Sequence, residues 1–149
     1  EPESVPVPPR IRELGWVHVR GWQPTDVADR ALATMDFLYL PMWFDPARRL
    51  HAATSFPTKF VGYLRAGVPV VCHAPADSAV AAFVRHCPVG PLLDTMDADA
   101  LAGRLRAVFE HEDWHTRFAE PLQRARAQFD HGTLQARLFD SLRQSTVSA

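Results

Sequence analysis

The residues of this chain best suited to chemistry fall in one stretch, Ser55–Val71, which reads SFPTKFVGYLRAGVPVV. Pro57 suits the first turn of a helix, where its missing N–H costs nothing, and Gly67 suits the stop. A helix starting there leaves the amides of Thr58, Lys59 and Phe60 without intrahelical acceptors, and the aligned peptide dipoles put partial positive charge at that end. An anion is favoured at such a terminus. Ser55 and Thr58 add hydroxyls, and Lys59 adds a mobile point charge of the kind that binds phosphate. Lys59 is also the only lysine among 16 basic residues. The alternative is purely structural: Ser55 as a helix cap and Lys59 as a solvated surface group.

A second pattern, His111-Glu112-Asp113-Trp114-His115, matches H-E-x-x-H, in which two histidines one helical turn apart bind zinc and the Glu polarises water. Its surroundings argue against a zinc role. The segment follows an amphipathic helix in an acidic, polar stretch, and Phe118 and Pro121 stand where an extended zinc motif would place Gly and His. No metal site is therefore expected. G-x-G-x-x-G, Walker A and G-x-S-x-G runs are all missing, and the seven glycines are scattered. A phosphoacceptor Asp would close a strand, whereas Asp36 opens one.

The elements that must position these residues alternate between strand and helix. After a proline-rich, extended lead-in over residues 1–15, Trp16–Val19 is aromatic and β-branched and reads as a strand. Thr25 caps a helix with Val27, Ala28, Ala31, Leu32 and Met35 on its apolar face. Phe37–Leu40 reads as a strand buried on both faces. The next segment, MWFDPARRLHAATS, exceeds the roughly 12 residues beyond which unstructured loops are uncommon and often functional. Then come the Pro57 helix and a second buried strand, Val68–Cys72, followed by a helix capped by Asp77 and bearing Val80, Phe83, Val84 and Cys87. Val89–Leu93 is a weaker strand. Asp97 and Asp99 favour the start of a helix with Leu101, Leu105, Val108 and Phe109. Helices close the chain, the last with the stripe Leu134, Leu138, Phe139 and Leu142, a surface suited to self-association.

Such alternation predicts an α/β domain over residues 16–149, Rossmann-like and three-layered, with a mostly parallel sheet of about four strands joined by right-handed crossovers. Ligands of such sheets bind at the carboxyl ends of the strands. Trp43, Asp45 and His73 belong to that edge and are candidates to line a pocket there. Equally, the aromatic residues of the long loop can pack its underside, and His73 can simply be hydrogen-bonded.

Bulk properties narrow the class. Net charge is -1, from 16 basic and 17 acidic side chains spread along the chain, so no basic stripe exists for a nucleic-acid partner. No apolar run approaches the roughly 20 residues of a membrane span. Cys72 and Cys87 lack metal or disulfide-scaffold spacing and read as reduced thiols of a cytoplasmic protein. The start, EPESVPVPPR, has no apolar core of a signal peptide and, with no Met, reads as a cut end.

The string PTKFVGYLRAGVPVV, preceded by LYLP and followed by a helix and the segment DADALAGRLRAVFE, resembles the C-terminal, donor-binding half of GT-B fold glycosyltransferases. It is most similar to glycosyltransferase family 4, in the subset whose motif runs P-x-K-x-x-E-Y-x-x-x-G-x-P-V-V. Pro57, Lys59, Tyr63, Gly67, Pro69, Val70 and Val71 stand at matching positions. In element order the resemblance extends over about residues 16–126.

That resemblance implies a nucleotide diphosphate sugar as substrate, no separate cofactor, and sugar transfer with retention. Thr54, Ser55, Phe56, Thr58, Lys59, Phe60 and Gly62 would be the donor-binding positions. Within them Ser55 to Lys59 would face the diphosphate, and Lys59 would carry this chain's share of catalysis by stabilising it as it leaves. Gly62 stands where the family has a Glu that hydrogen-bonds the ribose, and Thr54 stands where many members have an earlier Glu. Loss of one such charge-assisted bond predicts donor binding weakened by about 1.5–3 kcal/mol. The resemblance also implies an acceptor lobe and two earlier strands upstream, peripheral membrane attachment through that lobe, and no transfer by this chain alone. A sugar-nucleotide epimerase on the same fold is a neighbouring reading, disfavoured by the missing acidic and His residues. From a different class, the chain reads as a binding or assembly module that has lost the donor.

Overall fold

The computed structural model describes residues 7–130, 132–135, 139 and 143. Two helices precede the sheet: α1 (Pro9–Arg12), inside the lead-in expected to be extended, and α2 (Thr25–Leu32). Strand β1 (Leu38–Pro41) leads to a 3₁₀ turn at Pro46–Arg48, then α3 (Arg49–Thr54) and α4 (Thr58–Ala66). Strand β2 (Val70–His73) is followed by α5 (Ala79–His86), β3 (Leu92–Leu93), α6 (Ala98–Phe109), α7 (Trp114–Arg117) and α8 (Ala119–Gln128). No helix among the described residues is long and apolar enough to cross a membrane.

The result is an α/β domain on one parallel sheet of order β1-β2-β3. Three strands are present among the described residues, not four. Trp16 lies in a turn and residues 17–20 form no strand, their hydrogen bonds being local ones to Leu14 and Gln23, and Trp16 is 77% exposed. Aromatic and β-branched residues stabilise a strand only through a ladder and a face to pack on, and this segment has neither. Strand β1 also departs from expectation. Leu38 and Leu40 are buried while Tyr39 and Pro41 are exposed, so it is half-buried at the sheet's edge. Central β2 is buried at every position.

The third strand is shortened by Pro91. Amides of Val70, Cys72 and Ala74 donate to the carbonyls of Val89, Pro91 and Leu93, so the backbone runs alongside β2 over the whole expected segment. Pro91 has no N–H to return a bond, and only Leu92–Leu93 completes a strand. Gly90 lies so close to Val70 that no side chain fits between them.

The long segment after β1 is not a loop, because Pro46–Arg48 and α3 fill most of it. Thr25 is the first residue of α2 rather than its cap, which is Pro24. Ser78, not Asp77, caps α5, accepting from the Ala81 amide, while Asp77 pairs with Arg49. Asp97 caps α6 as expected, and Gly67 ends α4 in the left-handed conformation at φ 72°.

The core joins the sheet to its helices through Leu40, Phe60, Leu64, Val80, Val84 and Leu122. Of the terminal stripe, Leu134 and Phe139 are exposed; Leu138 and Leu142 lie outside the described residues.

Candidate functional site

A helix that connects two neighbouring parallel strands must run back against them, so it begins at their carboxyl edge. Helix α4, between β1 and β2, and α5, between β2 and β3, start there. Helix α6 starts just beyond the carboxyl end of β3. The latter two are closed by side chains: the Ser78 hydroxyl accepts from Ala81 N–H at 3.1 Å and the Asp97 carboxylate accepts from Ala100 N–H at 2.7 Å. Helix α4 is different. Its N-cap is Pro57 and no side chain caps it. Phe60 N–H donates to the Pro57 carbonyl at 2.9 Å, so it is not open as the sequence suggests. The Thr58 and Lys59 amides have no acceptor among the described residues. Both side chains are exposed, and Lys59 forms no ion pair among the described residues.

The remaining donor positions divide. Ser55 is half-buried at the C-cap of α3, and the Thr54 hydroxyl donates to the Leu50 carbonyl at 2.8 Å, closing the same helix. Phe56 and Phe60 are core residues. Their rings lie 5.2 Å apart, and both pack on Phe83 at 5.4 and 5.5 Å. Phe60 is fully buried, so only its backbone can approach a ligand, while Phe56 is half-buried.

Gly62 lies one turn further along α4, on the wall of a groove of about 830 Å³ bounded by α2, α4 and the end of α8. That volume falls within the range typical of small-molecule sites. A Cβ at Gly62 would meet nothing within 4 Å. The groove also takes Asp29 from α2 and Arg65 and Arg126, none of which sequence patterning singled out. They come from three distant segments, so only tertiary packing brings them together.

The three pocket candidates at the carboxyl edge have structural partners. Asp45 caps the 3₁₀ turn, accepting from Ala47 N–H at 2.9 Å. Trp43 is half exposed, with the Arg48 guanidinium 4.7 Å from its ring centre and His51 5.3 Å away. His73 is buried and saturated. Its Nε2 lies 2.7 Å from the Thr95 carbonyl, which can only accept, so Nε2 is assigned the proton. The Tyr39 hydroxyl then donates to Nδ1 at 2.6 Å. Burial pushes the Tyr39 phenol upward in pKa, which suits a donor.

His111 and Glu112 sit in the turn before α7, which begins at Trp114. The H-E-x-x-H string is therefore not carried on one helix, and its zinc geometry is lost. Burial pushes the Cys72 thiol up to about 12, so it is a packing group rather than a nucleophile at neutral pH. The chain matches no family model and no curated protein.

Proposed function

We propose that this chain is the donor-binding half of a GT-B-type glycosyltransferase similar to family 4. In this reading it holds a nucleotide diphosphate sugar for transfer to an acceptor on a further lobe, with retention, in a cytoplasmic protein. The observation that carries the reading is the start of α4. Unlike α5 and α6, which also begin at the carboxyl edge, α4 has no side-chain cap, a feature it shares with the short α3 before it, and it bears the only lysine of the chain. Two open amides, the positive end of the helix dipole and a flexible ammonium group together favour a diphosphate. The sequence motif from Pro57 to Val71 and the parallel sheet support the same reading.

The chemistry asked of these residues is electrostatic. As the bond from the anomeric carbon to the diphosphate oxygen breaks, negative charge grows on the leaving group, and fixed amides plus Lys59 stabilise it without reorganising. The rest is positioning, with the nucleoside running along α4 toward Gly62.

Thermal unfolding with UDP, GDP and ADP tests this. A ligand at a hundredfold excess over its Kd stabilises by about 2.7 kcal/mol, a rise in Tm of roughly 5–10 °C for a chain of this size. Lys59→Ala should remove most of the rise. Indifference to all three nucleotides at millimolar concentration would refute donor binding. It would favour the second reading, a module on this fold that has lost its donor. Gly62 and Thr54, in place of carboxylates, favour that alternative, as does the engagement of the Thr54 hydroxyl within α3.

A further inference from the structure

We infer that Asp29 is the ribose-recognising residue of this chain, so that the groove between α2 and α4 takes a ribonucleoside and discriminates against deoxy analogues. The inference rests on the diphosphate reading of the α4 start.

The groove is charge-balanced. Asp29 and Asp130 line it together with Arg65 and Arg126, and Phe129 adds apolar surface. Asp130 is already occupied, accepting from the Thr133 amide at 3.1 Å. Asp29 is not. The ion pair of α2 joins its neighbours Asp26 and Arg30, and the Asp29 carboxylate has no partner among the described residues. An occupant must therefore be neutral overall, offer hydroxyl donors to one carboxylate and acceptors to two guanidinium groups, and carry a flat apolar face. A ribonucleoside meets each requirement: its diol donates, and its base accepts and stacks.

Reach along the helix agrees. Gly62 and Ala66 lie three and seven residues beyond Lys59, or roughly 5–10 Å along an α-helix at 1.5 Å per residue. A nucleoside tethered to a diphosphate at the α4 start would lie over these positions. Both are small, as is Ala33 on the α2 side, so the walls leave room for a ring. At Gly62, where a longer acidic side chain would reach the diol from α4, the space is open. Asp29 approaches the same space from α2.

Titration calorimetry of the full chain with UDP, GDP and ADP, their 2′,3′-dideoxy counterparts and inorganic pyrophosphate tests this. Asp29→Asn should weaken the best-bound ribonucleotide about tenfold, as expected for loss of a hydrogen bond to a charged acceptor. It should erase the preference over the dideoxy form and leave pyrophosphate unchanged. Pyrophosphate binding that depends on Lys59, with Asp29→Asn still distinguishing ribo from dideoxy, would overturn the role of Asp29 while sparing the diphosphate site. Failure of pyrophosphate and of every nucleotide to bind would overturn both.

Discussion

Replacing Gly90 by alanine tests the closest approach in the fold. A Cβ at Gly90 would lie 2.2 Å from the Val70 carbonyl oxygen, 2.6 Å from its carbon and 2.7 Å from its nitrogen. Ordinary contact begins at 3.4 Å, and backbone atoms of a central strand cannot rotate aside. The methyl group must push β2 and the β3 segment apart by about 1 Å. The bond from Val70 N–H to the Val89 carbonyl, 3.0 Å long and wholly buried, is the first to be lost. Overpacking costs about 1–3 kcal/mol, and an unsatisfied buried backbone pair about 1–3 kcal/mol more. The expected loss is therefore roughly 2–6 kcal/mol, measured by urea unfolding with an unchanged m-value. Gly103→Ala is the matched control. In α6 its Cβ meets nothing within 4 Å, and the helix should gain about 1 kcal/mol. A Gly90→Ala penalty below about 0.5 kcal/mol would refute the packing argument.

Two further perturbations address the carboxyl edge and its surroundings. Tyr39→Phe removes the donor to His73 Nδ1 and leaves a buried ring nitrogen unpaired, which should cost about 1–3 kcal/mol in urea unfolding; a neutral substitution would show that the bond contributes nothing. Arg104, hydrogen-bonded to Asp94 at 2.5 Å, holds that carboxyl below the usual carboxylate range. A carboxyl lowered in the folded state adds stability that is present above its unfolded pKa, about 3.9, and is lost as pH falls through the folded value. The stability gap between wild type and Arg104→Gln should thus be open at pH 6 and close as pH falls below about 4. Part of the pair is solvent-exposed, so the gap should be small, and one independent of pH would contradict the assignment.

Local signals made the helices around the site legible in the sequence. Pro57 and Gly67 bracket α4 because proline and glycine constrain backbone directly, and Asp97 caps α6 through a bond three residues away. Where the deciding partner is remote, the sequence is silent. Trp16–Val19 has the composition of a strand but finds no ladder. Phe56 stands beside a helix start yet is drawn into the core by Phe83 and Phe129, 27 and 73 positions downstream. The Ser78 cap lies one residue from the Asp expected to serve, since both residue types can do so. Lys59 was identifiable as a lone ammonium at a helix start. The groove residue Asp29 was not, because α2 carries it to α4 only through tertiary packing.

The saturation of His73 has a consequence for how the sheet is aligned. Every residue of β2 is buried, so its apolar pattern reads nearly alike on either face and would tolerate a slip of one position. One imidazole removes that ambiguity. It sits on the central strand, bonded to Tyr39 of the strand on one side and to the Thr95 backbone just beyond the strand on the other. Sliding β2 by one residue would turn the ring to the opposite face and forfeit both bonds at once. A single polar group at the end of the strand thus acts as the index mark for three strands, fixing the alignment on which the position of α4 depends.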